Sequence, residues 1–207
     1  MITFQMYAAD RPDSESGDWM FHYWIDGHEN RGPRLTVRPQ YAMFACPYCK
    51  KFPEITVLEH VGIPADFMVH SDWDYIRTAD GVICVSQRLV DIIEVNKIHG
   101  LRFLTLPGDG RYRIAVPAFP KGYVAVDIAS CGVEFRGLCP MCMRYGKTLY
   151  WPQRRAMRLP QEELIICSPL IFSEDRCREF LLMTTDRVAE IFQRKNVTGV
   201  EFVSHGF

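Results

Sequence analysis

The sequence predicts an α+β fold that is strand-rich, with two pseudo-repeated strand–helix–strand units joined by a four-cysteine, zinc-ribbon-like clip. Three observations carry that expectation. Two Cys-x-x-Cys pairs stand far apart, Cys46-Pro47-Tyr48-Cys49 and Cys139-Pro140-Met141-Cys142. Sliding the chain by 99 residues lays Ser86–Phe103 over Thr185–Phe202, with Arg88/Arg187, Ile92/Ile191, Gly100/Gly199 and Phe103/Phe202 identical. Short apolar runs bounded by Gly, Pro and Asp recur throughout, whereas only two segments have a helical period.

The elements follow in order. Ile2–Ala8 predicts an opening strand, Asp10–Gly17 a polar loop, and Trp19–Ile25 a second strand with aromatic side chains on both faces. A Gly/Pro/Arg segment, Gly27–Pro39, leads to the first cysteine pair, followed by strand candidates at Ile55–Val61 and Val82–Val85. The first helix has Ser86 as N-cap, Leu89, Ile92 and Ile93 on one face, and Gly100 where a left-handed residue ends it. Strands are expected at Leu101–Leu106, Arg111–Val116, Tyr123–Val126, Thr148–Trp151 and Leu164–Ile166. The C-terminal segment from Thr185 repeats the order of N-cap, amphipathic helix, glycine stop and strand. Pro47 and Pro140 fit tight turns rather than helix interiors. The organisation expected is a single compact domain, 1–207, made of two related halves of about 1–110 and 111–207.

A hydrophobic content of 48% with 24% charged residues is ordinary for a water-soluble globular protein, and the formal charge of −1 gives no global attraction to nucleic acid or membrane. The first residues lack the basic and apolar regions of a signal peptide, and no apolar run reaches the length of a membrane span, so a cytoplasmic location is expected. In that compartment eight reduced cysteines point to metal binding or redox chemistry before disulfides. Charge is uneven along the chain. Residues 1–30 carry six acids against Arg11 alone, and residues 135–161 carry six bases and no acid. Two solvated surfaces explain this, as does a partner-binding face on one of them.

Each Cys-x-x-Cys turn offers two sulfurs on one side, so Cys46, Cys49, Cys139 and Cys142 together complete a tetrahedral zinc shell. The 89 residues between the pairs exceed finger spacing and make the site a clip between distant parts of one fold. Four thiolates leave no open position, so such a zinc is structural. A rubredoxin-like iron site uses the same ligands. Cys46-Pro47-Tyr48-Cys49 is also the glutaredoxin tetrapeptide, and a thiol oxidoreductase is the redox alternative. That chemistry wants its second cysteine in the first turns of a helix, whereas Pro53 and a strand-like run follow here. Cys84, Cys131, Cys167 and Cys177 read as inert thiols, with Cys131 near enough to the second pair to substitute as a ligand.

No catalytic constellation accompanies the cysteines. His-x-Glu, His-Glu-x-x-His, a phosphate-binding glycine loop and Gly-x-Ser-x-Gly are absent from the sequence. His70, Asp72 and Asp74 form the one dense polar cluster, and turn hydrogen bonds explain it without chemistry. The protein is therefore read as not an enzyme. Arg144–Arg158, interleaved with Tyr145, Tyr150 and Trp151, suits a phosphate backbone, and a zinc-ribbon nucleic-acid-binding protein is the alternative function. The negative charge of a tetrathiolate site accounts for Arg144 and Lys147 equally well.

The order of these features resembles the double-CxxCG motif family, immunity proteins of bacterial polymorphic-toxin systems. The resemblance runs from the aromatic segment with Trp24 through Cys46–Cys49, Gly100-Leu101-Arg102-Phe103 and Cys139–Cys142 to the closing Thr184-Thr185-Asp186-Arg187 helix and Gly199-Val200-Glu201-Phe202. It covers about residue 20 to the end. The family carries glycine after each pair, where Lys50 and Met143 stand here. The resemblance implies a non-catalytic protein that binds and neutralises a cognate toxin, nucleases being frequent in such systems. Against the basic cleft of a nuclease, Asp10, Asp13, Glu15 and Asp18, or Asp72, Trp73 and Asp74, are the expected partner-binding residues.

Overall fold

A computed structural model describes residues 3–8, 22–25, 34–49, 61–78, 81–118, 134–143, 145–149, 165–172 and 179–205. The strand expected at Tyr123–Val126 lies outside them, as does the one expected at Ile55–Val61 except for Val61, which stands in a turn. The described elements run β1 (Thr3–Ala8), β2 (His22–Ile25), β3 (Arg34–Val37), α1 (Pro39–Ala42), β4 (Tyr75–Arg77), β5 (Ile83–Ser86), α2 (Gln87–Val95), β6 (Leu101–Thr105) and β7 (Tyr112–Pro117). After them come β8 (Glu134–Leu138), β9 (Tyr145–Leu149), β10 (Ile165–Phe172), β11 (Glu179–Thr185), α3 (Asp186–Arg194) and β12 (Val200–His205). This is an α+β chain, strand-rich as expected, with its strands paired antiparallel.

Two four-stranded sheets dominate, in the orders β4-β5-β7-β6 and β10-β11-β1-β12. In each, a hairpin leads into a helix, the strand after the helix lies at the far edge, and one strand is inserted between. The inserted strand of the first sheet is β7, the next along the chain. In the second it is β1, which pairs with β11 from Thr3↔Thr185 to Met6↔Leu182 and with β12 from Thr3↔His205 to Ala8↔Val200. Residue 110, the expected boundary between halves, therefore falls between two strands of one sheet, and the N-terminal strand belongs to the other. Hairpins β2–β3 and β8–β9 complete the description.

Alternation in the first sheet separates two cores. Ile76, Cys84, Ile114 and Val116 face one core with Tyr41 of α1 and with Phe67 and Val69 of the 61–74 loop. Tyr75, Val85 and Ala115 face the other, which takes Leu89, Val90 and Ile93 of α2, Val188, Ile191 and Phe192 of α3, and Met6, Ile165 and Leu182 of the second sheet. Both helices therefore bury their apolar faces in one core shared by the two sheets. At about 25 cal/mol per Å² of apolar area, burying each of these Leu, Ile, Val and Phe side chains is worth about 1.5–3 kcal/mol.

Both helices stop in the same way. After α2, Lys97 takes a positive φ of 53° and Gly100 one of 102°; after α3, Asn196 has 50° and Gly199 has 80°. The Ile98 N–H reaches Ile93 O at 2.9 Å, and the Val197 N–H reaches Phe192 O at 3.0 Å. Each left-handed turn satisfies helix-end carbonyls and sends the chain into the edge strand.

Asp74 joins the two units. Its carboxylate accepts from the Ser86 hydroxyl at 2.6 Å, from the Thr198 N–H at 3.1 Å and from Arg88. The Tyr75 N–H donates to Thr198 O at 3.0 Å, and Arg88 reaches across to Lys195 O. Burial would raise the Asp74 carboxyl, but the Ser86, Thr198 and Arg88 donors outweigh it and hold the group below its ordinary range.

Candidate metal centre

The first cysteine pair lies in the turns that follow α1, whose first residue is Pro39. The second pair occupies the turn between β8 and β9, so hairpin pairing fixes where it sits. Pro47 and Pro140 stand in turns, as their fixed φ and missing N–H require. The two turns meet. Cys46 Sγ is 3.8 Å from Cys139 Sγ, Cys49 Sγ is 3.7 Å from Cys142 Sγ, and all four sulfurs lie within 4.8 Å of one another. A disulfide needs about 2.05 Å, so these are four free thiols. A tetrahedral ion bound to sulfur at about 2.3 Å has edges of about 3.8 Å, so the donor set has the number, type and spacing to hold a metal ion.

Cys46 and Cys139 are buried, while Cys49 and Cys142 are half-buried. The Cys142 N–H, with that of Met141, draws the Cys139 thiol down to about 6 against the effect of its burial. The Cys49 and Tyr48 N–H groups lower Cys46 in the same way. In both turns the backbone thus favours a thiolate, the form that binds metal.

Met143 stands where the resembled family has glycine, and it adopts the conformation glycine would: its φ is +55°, and its N–H donates to Cys139 O at 2.9 Å. A non-glycine residue there costs about 1–2 kcal/mol. Lys50, the corresponding residue after the first pair, lies outside the described residues.

The expected partner-binding residues fare differently. Asp10, Asp13, Glu15 and Asp18 lie outside the described residues. Asp72 is exposed, but Trp73 is half-buried and Asp74 is buried. Trp73 packs beside Gly199, and Asp74 is committed to the joint between the units, so of these three only Asp72 offers its charge to solvent. The local turn bond in this stretch comes from Ser71, whose hydroxyl accepts from the Trp73 N–H at 3.1 Å, and not from the expected aspartates: the Asp74 carboxylate bonds Ser86, Arg88 and Thr198 instead. His70 is exposed. Of the other cysteines, Cys84 is fully buried in the first core, as an inert thiol should be, and Cys131 and Cys177 lie outside the described residues.

On the β8–β9 hairpin, Arg136 lies opposite Lys147 and Leu138 opposite Tyr145, and the Phe135 and Tyr145 rings are 4.7 Å apart. Arg136 is closed onto Glu134 at 2.6 Å. Arg144 and Arg154–Arg158 lie outside the described residues. What the reading of single residues missed is the exposed apolar side chains beside the cysteines, Met43, Tyr48 and Met141 among them. The signal was in the sequence, in methionines and aromatics that share short stretches with the ligands. Among the described residues no helix is long and apolar enough to cross a membrane. No protein-family model matches the chain, and neither a curated protein nor a solved structure does.

Proposed function

We propose that this protein is an immunity protein that binds and neutralises a cognate toxin domain, with a structural zinc held by Cys46, Cys49, Cys139 and Cys142. The observation that carries the zinc half is the meeting of four sulfurs within 4.8 Å. Four thiolates close the coordination shell, so the ion holds residues 46–49 to residues 139–142 and has no site for substrate. The toxin half rests on the resemblance, to which the closed shell adds that function belongs on a surface. The glutaredoxin alternative is disfavoured because Cys46–Cys49 itself forms turns and meets a second cysteine pair within 4.8 Å, which a thiol oxidoreductase does not need. We further read the two strand–helix–strand units as repeats of one design, supported by their common sheet order and 99-residue offset.

Elemental analysis of the purified protein should give one zinc per chain, and chelation should lower its thermal stability. Copurification with iron, or no metal at all, rejects the zinc assignment. Co-expression with the toxin domain encoded beside the gene should restore growth and give a stable complex. Absence of both rejects the immunity assignment and leaves the metal result standing. If the units are repeats, exchanging residues 96–100 for the sequence of 195–199 preserves folding, and an unfolded product rejects the reading.

The register that sets Arg136 opposite Lys147 favours one second reading, a nucleic-acid-binding ribbon. Failure to bind duplex or single-stranded DNA or RNA at about 50 mM salt, where phosphate contacts are strongest, dismisses it.

A further inference from the structure

The four sulfurs of the clip are not equivalent. Cys46 and Cys139 are 7% and 4% exposed, while Cys49 and Cys142 are half-buried. Each turn therefore contributes one inner and one outer sulfur, and like meets like across the clip. The inner sulfurs are 3.8 Å apart and the outer ones 3.7 Å. The inner pair also accepts N–H groups of its own turns, from Cys49 and Tyr48 at Cys46 and from Cys142 and Met141 at Cys139. A small solute arriving from water thus meets Cys49 and Cys142 first. Metal binding keeps all four sulfurs deprotonated, the form that attacks an oxidant. In a disulfide the sulfurs are about 2.05 Å apart, so the outer pair is about 1.6 Å short of one, a gap that rotation of two cysteine side chains can close.

We propose that the clip is a redox-sensitive fastener: hydrogen peroxide joins Cys49 to Cys142 in a disulfide that crosses between the two turns, so the ion is released while the turns stay tied. The inference rests on the reading of the site as a zinc centre and is independent of the toxin. One outer thiolate attacks a peroxide oxygen, forming an S–O bond as the O–O bond breaks and hydroxide leaves. The other outer thiolate displaces hydroxide from that sulfenic sulfur and forms the S–S bond. Two thiolates lose two electrons, peroxide gains them, and two protons from solvent turn both hydroxides into water. Only Cys46 and Cys139 then remain as ligands, too few to close a tetrahedral shell. A second equivalent of peroxide joins them by the same steps.

The crossing of the disulfide decides its consequence. It ties residues 93 apart in sequence, as the zinc did, and so constrains the unfolded chain strongly. A bond inside either Cys-x-x-Cys turn ties residues three apart, constrains almost nothing and lets the turns separate.

The test treats the zinc-loaded full chain with one and then two equivalents of hydrogen peroxide. A chromogenic chelator follows zinc release, and mass spectrometry maps the disulfides after trypsin without reduction. Trypsin leaves Cys46 and Cys49 on residues 35–50 and Cys139 and Cys142 on residues 137–144. A crossing disulfide therefore joins two peptides that a bond inside a turn leaves separate. The first equivalent should release the zinc and give joined peptides, with fragmentation assigning the bond to Cys49 and Cys142. Dithiothreitol with zinc should then restore the metal. The oxidised protein should melt within about 5 °C of the zinc form, whereas the reduced, chelated protein should melt about 10 °C or more below it. Separate peptides, a first bond at Cys46 and Cys139, bonds to the other four cysteines, or irreversible sulfinic acid overturns the proposal. So does zinc retained while Met141 and Met143, 60% and 66% exposed, become sulfoxides. If the purified protein carries no zinc, the zinc reading falls by itself, and the same peptide map still decides whether peroxide joins Cys49 to Cys142.

Discussion

The two sheet-and-helix units differ in where they obtain their last strand. The first closes with β7, which follows β6 through the short loop between Thr105 and Tyr112. The second closes with β1, from the opposite end of the chain. Local signals are the same in both: N-cap, nine-residue helix, left-handed turn and edge strand. One unit is therefore assembled from contacts close in sequence, while the other waits for strands about 180 residues apart to meet, a costlier loop to close. Local sequence fixes the shape of a unit, and long-range pairing decides whether it is complete.

Removing β1 breaks the comparison most severely. Without residues 1–8, β11 and β12 each lose a partner, and the core they share with both helices opens. The loss should be on the order of the stability of a small domain, about 5 kcal/mol or more. Hydrogen exchange should show β11 and β12 unprotected, with β5 and β7 protected longest. Thr3 lies opposite His205. A permutant beginning at residue 9 and carrying residues 1–8 after residue 207 therefore gives the second unit the connectivity of the first and should fold. If the deletion folds as stably as the full chain, the role assigned to β1 is wrong.

The glycine pair gives the next largest effect. Both Gly100 and Gly199 need positive φ, at 102° and 80°. A Cβ on Gly199 would also stand 2.2 Å from Tyr75 O and 2.9 Å from Trp73 Cβ, where the second unit seats on the first. Gly199→Ala should cost about 3 kcal/mol or more, and Gly100→Ala about 1–2 kcal/mol from backbone strain. Chemical denaturation of the two variants would show the gap, and equal losses would mean that the joint at Trp73 and Tyr75 yields to fit a methyl.

Asp74 tests the joint through charge. Asp74→Ala removes the acceptor for Ser86, Thr198 and Arg88 and should cost about 2–3 kcal/mol. Because the folded carboxyl is held low, its stabilisation is present above the unfolded value of about 4 and is lost as pH falls through the lower folded value. Asp109, held low by Arg111, adds to the same acid limb. Thermal unfolding between about pH 2 and 6 should show a shallower acid limb in Asp74→Ala than in the wild type. Superimposable pH profiles would show that Asp74 does not carry it.

Much of this arrangement was legible in the residues. Ser86 and Thr185 marked both helix starts, because caps are set by local chemistry. Gly100 and Gly199, expected to end the helices, instead open the strands that follow: the left-handed residues that end them are Lys97 and Asn196, which no glycine announced. The cysteine spacing brought the four ligands together by local chemistry too: two ligands per turn are local, and their residue type implies a shared ion. What was not legible depends on pairing. β3, β4 and β8 have three to five residues each and no distinctive pattern, and become strands by hydrogen bonding to a neighbour. Asp74 read as an exposed acid because nothing nearby in sequence shows that Thr198 and Arg88 close over it.

The second clip allows a smaller test. Met143 accepts a left-handed backbone to donate its N–H to Cys139 O. Met143→Gly should stabilise the metal-loaded protein by about 1 kcal/mol if that strain is real, and destabilise it slightly if the turn relaxes instead. Urea titration with metal bound gives the sign.

The N-caps separate the two units most finely. Ser86 accepts from the Leu89 N–H at 3.1 Å and donates to Asp74, so Ser86→Ala should cost about 1–2 kcal/mol. Thr185 occupies the same position 99 residues on, yet its side chain makes no cap bond and, among the described residues, its buried Oγ1 has no partner. A buried hydroxyl without a bond is destabilising, and valine has the same shape without it. The usual penalty for valine at an N-cap comes from losing the cap bond, which Thr185 does not make. Its extended backbone, φ −79° and ψ 158°, also suits a β-branched residue. Thr185→Val should therefore be neutral or stabilising by up to about 1 kcal/mol, and the two hydroxyl deletions should have opposite signs. If Thr185→Val costs as much as Ser86→Ala, the Thr185 hydroxyl has a partner in solution and the two caps are equivalent.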